Sequence, residues 1–182
     1  MTDSNSRYIL DKITQINIDT TYRVDQEYLD AIPEKMKRYK DKKSLKRTPE
    51  EKRLHIDCEF ADEIINHSND ACILPSIDIY KHDFRFKKED EGVIWCCDNK
   101  AVHVDEWYLP EDKYIEFLDS YRNGTIHYFV FWKFIERPTK PLKIGDKPEM
   151  MVLSVIPAGE LLMKMCDPKN KSQNGNYKVK VI

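Results

Sequence analysis

The sequence contains no long apolar run and very little glycine. A transmembrane helix needs roughly 20 consecutive apolar residues, and no stretch of this chain approaches that length. The polar residues 1–6 also lack the apolar core of a signal peptide. Only 5 glycines are spread along the chain, too few for a glycine-rich phosphate-binding loop. We therefore expect a soluble, cytoplasmic protein with no membrane partner.

The cysteines do not form a pattern typical of disulfide frameworks or zinc fingers. They number 5, and Cys96 and Cys97 are adjacent rather than spaced as C-x-x-C. These two residues lie near His82 and His103 in sequence, so a thiolate–histidine zinc site is an alternative. Consecutive strand residues point to opposite faces of a sheet, and both thiols therefore cannot easily bind one ion. We expect reduced, mostly buried thiols.

The chain also lacks an excess of charge of either sign. Lys and Arg number 30 against 32 Asp and Glu, a formal net charge of -2, so any affinity for nucleic acid must come from a local patch. Residues 35–47 supply one, with eight basic residues against one acid. This segment is either a solvated tail or an arm that contacts phosphates. The candidate nucleic-acid-binding residues are Lys40, Lys42, Lys43, Lys46 and Arg47.

The remaining composition predicts one folded domain with an appendage. A chain of 182 residues fits a single ordinary domain, and a hydrophobic fraction of 41% can bury a core. Apolar residues are sparse in 1–47, which also contains the basic segment. We assign 1–47 to a basic N-terminal extension and 48–182 to a single α/β domain.

Local patterns predict helices and strands in alternation from residue 48 onward. Residues 48–51 (Thr-Pro-Glu-Glu) form a capping box, which begins a helix that ends near residue 67 or 68. Asp57 falls on the apolar face of this helix, where a carboxylate needs a local donor or a site to serve. Strands are expected at 71–80, 84–88, 93–97, 127–135, 150–156 and 177–181, with further helices after Pro110 and around 160–165. The fold class is α/β, a mixed central sheet flanked by helices.

The segment Asp98-Asn99-Lys100 ends the second strand of the best predicted hairpin. Residues i and i+2 of a strand share a face, so Asp98 and Lys100 project together, and Asp83 on the partner strand can lie opposite them. Carboxylate oxygens are ligands that Mg²⁺ prefers, and a bound metal can polarise a phosphoryl oxygen and acidify a water. A lysine can orient that water and neutralise charge at phosphorus. The cluster indicates metal-assisted phosphodiester hydrolysis.

These residues resemble the PD-(D/E)XK superfamily of nucleases over about residues 48–135. The resemblance implies a restriction-endonuclease-like core of helix, three strands, helix and strand, here followed by extra C-terminal strands. It implies catalytic Asp83, Asp98 and Lys100, with Mg²⁺ (or Mn²⁺) held by Asp83 and Asp98. Asp78 is a rival first ligand, and Asp57 or Glu59 could match an additional acid on the first helix. The expected partner is DNA, with a homodimer left open.

The choice between Asp83 and Asp78 depends on strand register. A turn centred near Asp90 pairs Asp83 with the Cys97–Asp98 region and leaves Asp78 nearer Val102. A bulge, or a first hairpin strand that starts earlier, would reverse the ranking.

The expected function is a metal-dependent endonuclease that hydrolyses DNA phosphodiester bonds. The alternative is a non-enzymatic interaction or inhibitor protein that uses the same α/β fold as a binding module, with the carboxylates as ordinary surface groups. Other acid-x-Lys triplets, such as Asp167/Lys169, show that the triplet alone carries little weight.

Overall fold

The computed structural model describes residues 3–19, 22–31, 60–76, 82–102, 104–140 and 142–182. Within them the chain forms both helices and strands, as expected for a sheet flanked by helices. The helices are α1 Ser4–Asp19, α2 at 26–31, α3 at 60–66, α4 Glu111–Arg122 and α5 Ala158–Met165, with a short 3₁₀ helix at Pro168–Asn170. The strands are β1 Ile73–Pro75, β2 Phe84–Lys87, β3 Ile94–Ala101, β4 Glu106–Leu109, β5 Tyr128–Phe134, β6 Met150–Pro157 and β7 Tyr177–Lys180.

Five of these strands form a mixed sheet in the order β1-β2-β3-β5-β6. Strand β2 runs antiparallel to both β1 and β3, and β5 pairs with β3 in parallel. A parallel neighbour needs a crossover connection, which β4 and α4 provide. Strand β6 pairs antiparallel with β5 and closes the far side. The predicted mixed sheet flanked by helices is confirmed.

Strand β5 separates two hydrophobic cores, because its apolar side chains are buried on both faces. Val130 and Trp132 belong to the core that also contains α3 and the inner face of the β2–β3 hairpin. Phe129 and Phe131 face the other core, formed with α4, α5 and the small sheet. The sheet therefore carries one packed layer on each side.

Helix α1 packs into the first core. Its apolar positions recur every three or four residues, and Ile9 and Ile13 are fully buried. The side chain of Asn17 donates a hydrogen bond to the carbonyl of Met150 on β6. At the other end of the helix, Asp3 accepts a bond from the hydroxyl of Tyr128 at 3.3 Å. The N-terminal residues thus contribute to the folded core.

Strands β4 and β7 form a second, two-stranded sheet over the α4 side. They pair antiparallel, with Trp107 opposite Val179, and both residues are buried in the second core. The predicted C-terminal edge strand is confirmed at Tyr177–Lys180, although it pairs with β4 instead of extending the main sheet. One edge of β4 thus has its backbone N–H and C=O groups paired with β7 inside the molecule.

The predicted hairpin is confirmed, with β2 and β3 in the expected antiparallel register. Helix α4 begins after Pro110 and ends at Asn123, followed by Gly124 at φ +67°, a conformation that glycine adopts without steric cost. The predicted helix that starts at residue 48 is observed over 60–66, and its capping box lies outside the described residues. No helix within the described ranges combines the length and apolar character needed to cross a bilayer.

Candidate active site

Asp98 and Lys100 lie on the same face of β3, as their spacing predicts. Nζ of Lys100 is 2.6 Å from Oδ1 of Asp98, and the two side chains are 20% and 6% exposed. They point toward the second core, since Asp98 lies beside Phe129 and Lys100 beside Phe131 on the parallel strand β5. The ion pair is therefore held at the apolar face of the sheet with limited access to solvent.

Asp83 joins this pair through the register of the β2–β3 hairpin. Phe84 lies opposite Cys97, so the preceding residue, Asp83, comes next to Asp98. The Asp83 carboxyl lies close enough to Asp98 to raise the pKa of the Asp98 carboxyl. Oδ2 of Asp83 also accepts the backbone N–H of Asn99 at 2.6 Å. The register predicted from a turn near residue 90 is confirmed.

The electrostatics of the site centre on Asp98. Burial raises the pKa of this carboxyl well above its ordinary range, and the nearby Lys100 ammonium opposes that shift. The negative charge of Asp83 raises the pKa further. A further cation beside Asp98 would favour the ionised form of its carboxyl.

The amide of Asn99 fixes β3 from the opposite face of the sheet. Its Oδ1 accepts the indole N–H of Trp132 at 2.8 Å, and its Nδ2 donates to Oδ1 of Asp62 at 2.8 Å. Asn99 is 2% exposed and Trp132 is fully buried, so these bonds satisfy groups that water cannot reach. Sequence reasoning missed this role. The sequence feature that could have indicated it is the polar Asn99 side chain, which lies between Asp98 and Lys100 in a strand that is otherwise largely apolar.

Helix α4 covers the lysine of the site. Nζ of Lys100 lies 5.0 Å from the centroid of the Phe117 ring, a distance typical of a cation–π contact. Phe117 in turn packs edge-on against Phe129 and at a tilt against Trp107, with ring centroids 5.2 and 5.9 Å apart. The second core thus positions the ammonium group against Asp98.

Two histidines and an arginine lie beside the carboxylates. Arg85 follows Asp83 by two residues on β2 and pairs across the strands with Cys96. Nδ1 of His127 accepts the backbone N–H of Cys96 at 3.0 Å, and burial lowers the pKa of this imidazole. His82 is buried, and burial likewise lowers its pKa. Both imidazoles are therefore favoured in the neutral form.

The structure argues against the zinc alternative for the adjacent cysteines. Cys97 is fully buried in the first core, whereas Cys96 lies on the opposite face of β3. The two thiols therefore cannot converge on one ion. His103 lies outside the described residues. The four described cysteines are all free.

Several residues proposed from the sequence lie outside the described part of the chain. They are the rival ligand Asp78, the acids Asp57 and Glu59, and the basic residues Lys40, Lys42, Lys43, Lys46 and Arg47. Asp62 on α3 bonds to Asn99 on the face away from Asp98.

Asp83 and Asp98 are the described residues of this site that could hold a divalent cation. One oxygen of Asp98 bonds to Lys100 and one oxygen of Asp83 bonds to the Asn99 N–H, which leaves the second oxygen of each outside those bonds. Oxygen donors at the end of neighbouring strands suit Mg²⁺ or Mn²⁺.

Comparisons of the chain with protein-family models, curated proteins and solved structures found no match. The geometry of the site itself is therefore the basis for any function assigned to this protein.

Proposed function

We propose that this protein is a cytoplasmic, metal-dependent endonuclease that hydrolyses DNA phosphodiester bonds. The observation that supports the proposal is the convergence of Asp83, Asp98 and Lys100, in which one carboxyl contacts both the other carboxyl and the ammonium. The element order α3, β1, β2, β3, α4, β5 also agrees with the order expected from the PD-(D/E)XK resemblance, with β4 as an addition.

Asp83 and Asp98 would hold Mg²⁺ or Mn²⁺. When bound, the ion supplies a Lewis acid for a phosphoryl oxygen and lowers the pKa of a coordinated water. Burial of Asp98 makes this role favourable, because a carboxylate pair with one ammonium gains from a further positive charge. Asp78 and Asp57 stay candidate additional ligands, as expected from the sequence.

Lys100 would act on the attacking water and on the phosphate. Its ammonium donates hydrogen bonds, so it can orient the water for attack on phosphorus, opposite the leaving ester oxygen. The same positive charge stabilises the negative charge that grows on the non-bridging oxygens. Asp98 and Phe117 hold the ammonium in place for both tasks.

Lys40, Lys42, Lys43, Lys46 and Arg47 would contact the phosphates of the DNA backbone. Such contacts increase affinity for any sequence, because they act through charge and counterion release. Assembly as a homodimer is compatible with this proposal and is not needed by it.

The test is to incubate the purified protein with supercoiled plasmid and with single-stranded DNA in Mg²⁺, Mn²⁺ or EDTA. We expect nicking or linearisation with metal and none with EDTA. A crystal soaked in Mn²⁺ should show one ion at roughly 2.0–2.3 Å from carboxylate oxygens of Asp98 and Asp83. Density that bridges Asp98 and Asp78 would correct the ligand set and keep the mechanism. No cleavage and no ion at saturating metal would instead favour the interaction protein.

A further inference from the structure

A second group of metal-ligating side chains lies at the turn end of the β2–β3 hairpin, away from Asp83 and Asp98. One ligand atom each from Asp70, Cys72 and Glu89 lies within 4.8 Å of the other two. Within the described ranges, this is the one group of three or more Asp, Glu, His or Cys side chains that meets in this way. The group combines one sulfur ligand with two carboxylate oxygens, which distinguishes it from a surface cluster of acids alone.

The backbone around this group is fixed. Cys72 immediately precedes β1, and its N–H donates to Oδ1 of Asp70 at 2.8 Å. The carbonyl of Cys72 accepts the N–H of Lys87, the last residue of β2, at 2.8 Å. Glu89 follows in the turn, two residues after Lys87. The donors therefore come from two segments that the sheet holds side by side.

The Cys72 thiol is 1% exposed yet has polar surroundings. Burial raises its pKa to about 12, and hydrogen bonds with Glu89 and Asp70 contribute to the rise. A buried free cysteine normally packs as a small apolar group. Here the thiol lies next to two carboxylates, and their negative charge favours a positive charge at this position.

An ammonium group already compensates part of this negative charge. Nζ of Lys12, on α1, lies 3.2 Å from Oε2 of Glu89 at the solvent side. In the described part of the chain, the ion pair of this group is the one between Lys12 and Glu89. A divalent cation would supply the charge that is still missing and could displace Lys12, whose long side chain can turn into solvent.

We propose that Asp70, Cys72 and Glu89 bind a thiophilic divalent cation of the Zn²⁺ or Cd²⁺ type. The thiolate sulfur excludes Mg²⁺ as the preferred ion and favours zinc-like metals, which accept both sulfur and carboxylate oxygen. Binding releases the thiol proton to solvent and forms a metal–sulfur bond. Ligand atoms around a tetrahedral Zn²⁺ are about 3.6 Å apart, given the usual metal–sulfur and metal–oxygen lengths. The half-exposed Glu89 side chain can close the remaining gap.

Three protein ligands leave one coordination position for water or an added ligand. The ion would also join the start of β1 to the β2–β3 turn and thereby stabilise the folded state. This inference is independent of the proposed nuclease activity, because it involves other residues and a different metal class.

The test is a Cd²⁺ titration of the full chain, followed by the ultraviolet charge-transfer band of cadmium–thiolate bonds. We expect one thiolate-bound ion per chain and loss of the band in Cys72→Ser. Cys166→Ser, which alters an exposed cysteine, is the matched control and should keep the band. The carboxylate pair Asp83–Asp98 contains no sulfur and cannot produce this signal.

A second variant keeps the test decisive if Cys72→Ser does not fold. Glu89→Gln changes an exposed turn residue, and we expect it to lower Cd²⁺ affinity by about 10-fold or more while the metal-free Tm is unchanged. Zn²⁺ should raise the Tm of the wild type and of Cys166→Ser alike. No band in the wild type, an unchanged band in Cys72→Ser, or unchanged affinity in Glu89→Gln would overturn the proposal.

Discussion

Oδ1 of Asn99 accepts the indole N–H of Trp132 at 2.8 Å, a bond between two buried side chains on the parallel strands β3 and β5. Asn99 lies between Asp98 and Lys100 in the chain, so this bond fixes the strand segment that carries the ion pair. Its backbone N–H donates to Asp83, the residue that precedes β2. One residue thus links the site to both neighbouring strands.

Asn99→Leu should destabilise the fold by about 1–3 kcal/mol, because the buried N–H of Trp132 loses its acceptor. Leucine has a similar size, so most of the effect comes from lost hydrogen bonds instead of a cavity. Urea denaturation measures the free energy of unfolding. The control is Asn170→Leu, which removes one hydrogen bond at the surface, to the Lys164 carbonyl, and should change stability by no more than about 0.5 kcal/mol. Equal effects of the two variants would contradict this role of Asn99.

Lys100→Ala should lower the rate of metal-dependent DNA cleavage by at least about 100-fold, because the charge that stabilises the transition state is lost. The fold should persist, since Asp98 can take up a proton when its ammonium partner is removed. Plasmid nicking rates and circular dichroism measure the two effects.

The chain offers a matched control in another Asp-x-Lys triplet. Lys169 pairs with Asp167 at 2.9 Å, but both side chains are exposed and lie far along the chain from the site. Lys169→Ala should leave cleavage unchanged. If Lys100→Ala cleaves DNA at the wild-type rate, the Asp98–Lys100 pair is structural and the proposed catalytic role fails.

Asp98→Asn should stabilise the metal-free protein at neutral pH. Since the folded-state pKa of Asp98 is raised, the folded state binds more protons than the unfolded state above pH about 4. This contribution to stability is fully present below the unfolded pKa and is lost as pH rises through the folded pKa. The variant lacks the titrating group, so its advantage in Tm should grow from pH 4 to pH 8 in EDTA.

Added Mg²⁺ should reverse the difference in Tm, so that the wild type becomes more stable than Asp98→Asn. The ion binds the ionised carboxylates of the wild type and raises its Tm, whereas Asp98→Asn has lost one ligand. A Tm difference that does not change with pH would show that Asp98 ionises in the folded protein as it does in the unfolded chain.

Replacement of Lys40, Lys42 and Lys43 by Gln should weaken DNA binding for all sequences alike. Each lost phosphate contact should reduce the slope of log affinity against log salt concentration by about 0.9, or about 0.7 for single strands. Fluorescence anisotropy over a series of salt concentrations measures the slope. An unchanged slope would mean that this basic segment is only solvated, and cleavage assays on the same variants would separate binding from chemistry.

Period-two patterns and turn residues predicted the β2–β3 hairpin, and with it the position of Asp83 next to Asp98. The spacing of Asp98 and Lys100 was sufficient to place them on one face, because side-chain direction alternates along any strand. The all-apolar pattern of β5 likewise indicated a strand buried on both faces. These features depend on local geometry, which the sequence encodes directly.

Contacts between distant segments could not be predicted in this way. The sequence showed a polar N-terminal segment, but not that Ile9 and Ile13 of α1 would fill a core with β5 and the hairpin. It contained Asn99 and Trp132 without indicating that they bond across β3 and β5.

The sequence by itself therefore determined most strands of the main sheet, the hairpin register and the shared face of Asp98 and Lys100, since each follows from backbone geometry over a few residues. It did not predict β4, which pairs with the distant β7. Only the tertiary structure decided how far the Asp98 carboxyl is buried, which partners hold Asn99, and that Glu89 meets Asp70 and Cys72. Burial and electrostatic environment depend on every element that packs around a group, so they emerge only when the whole chain is folded.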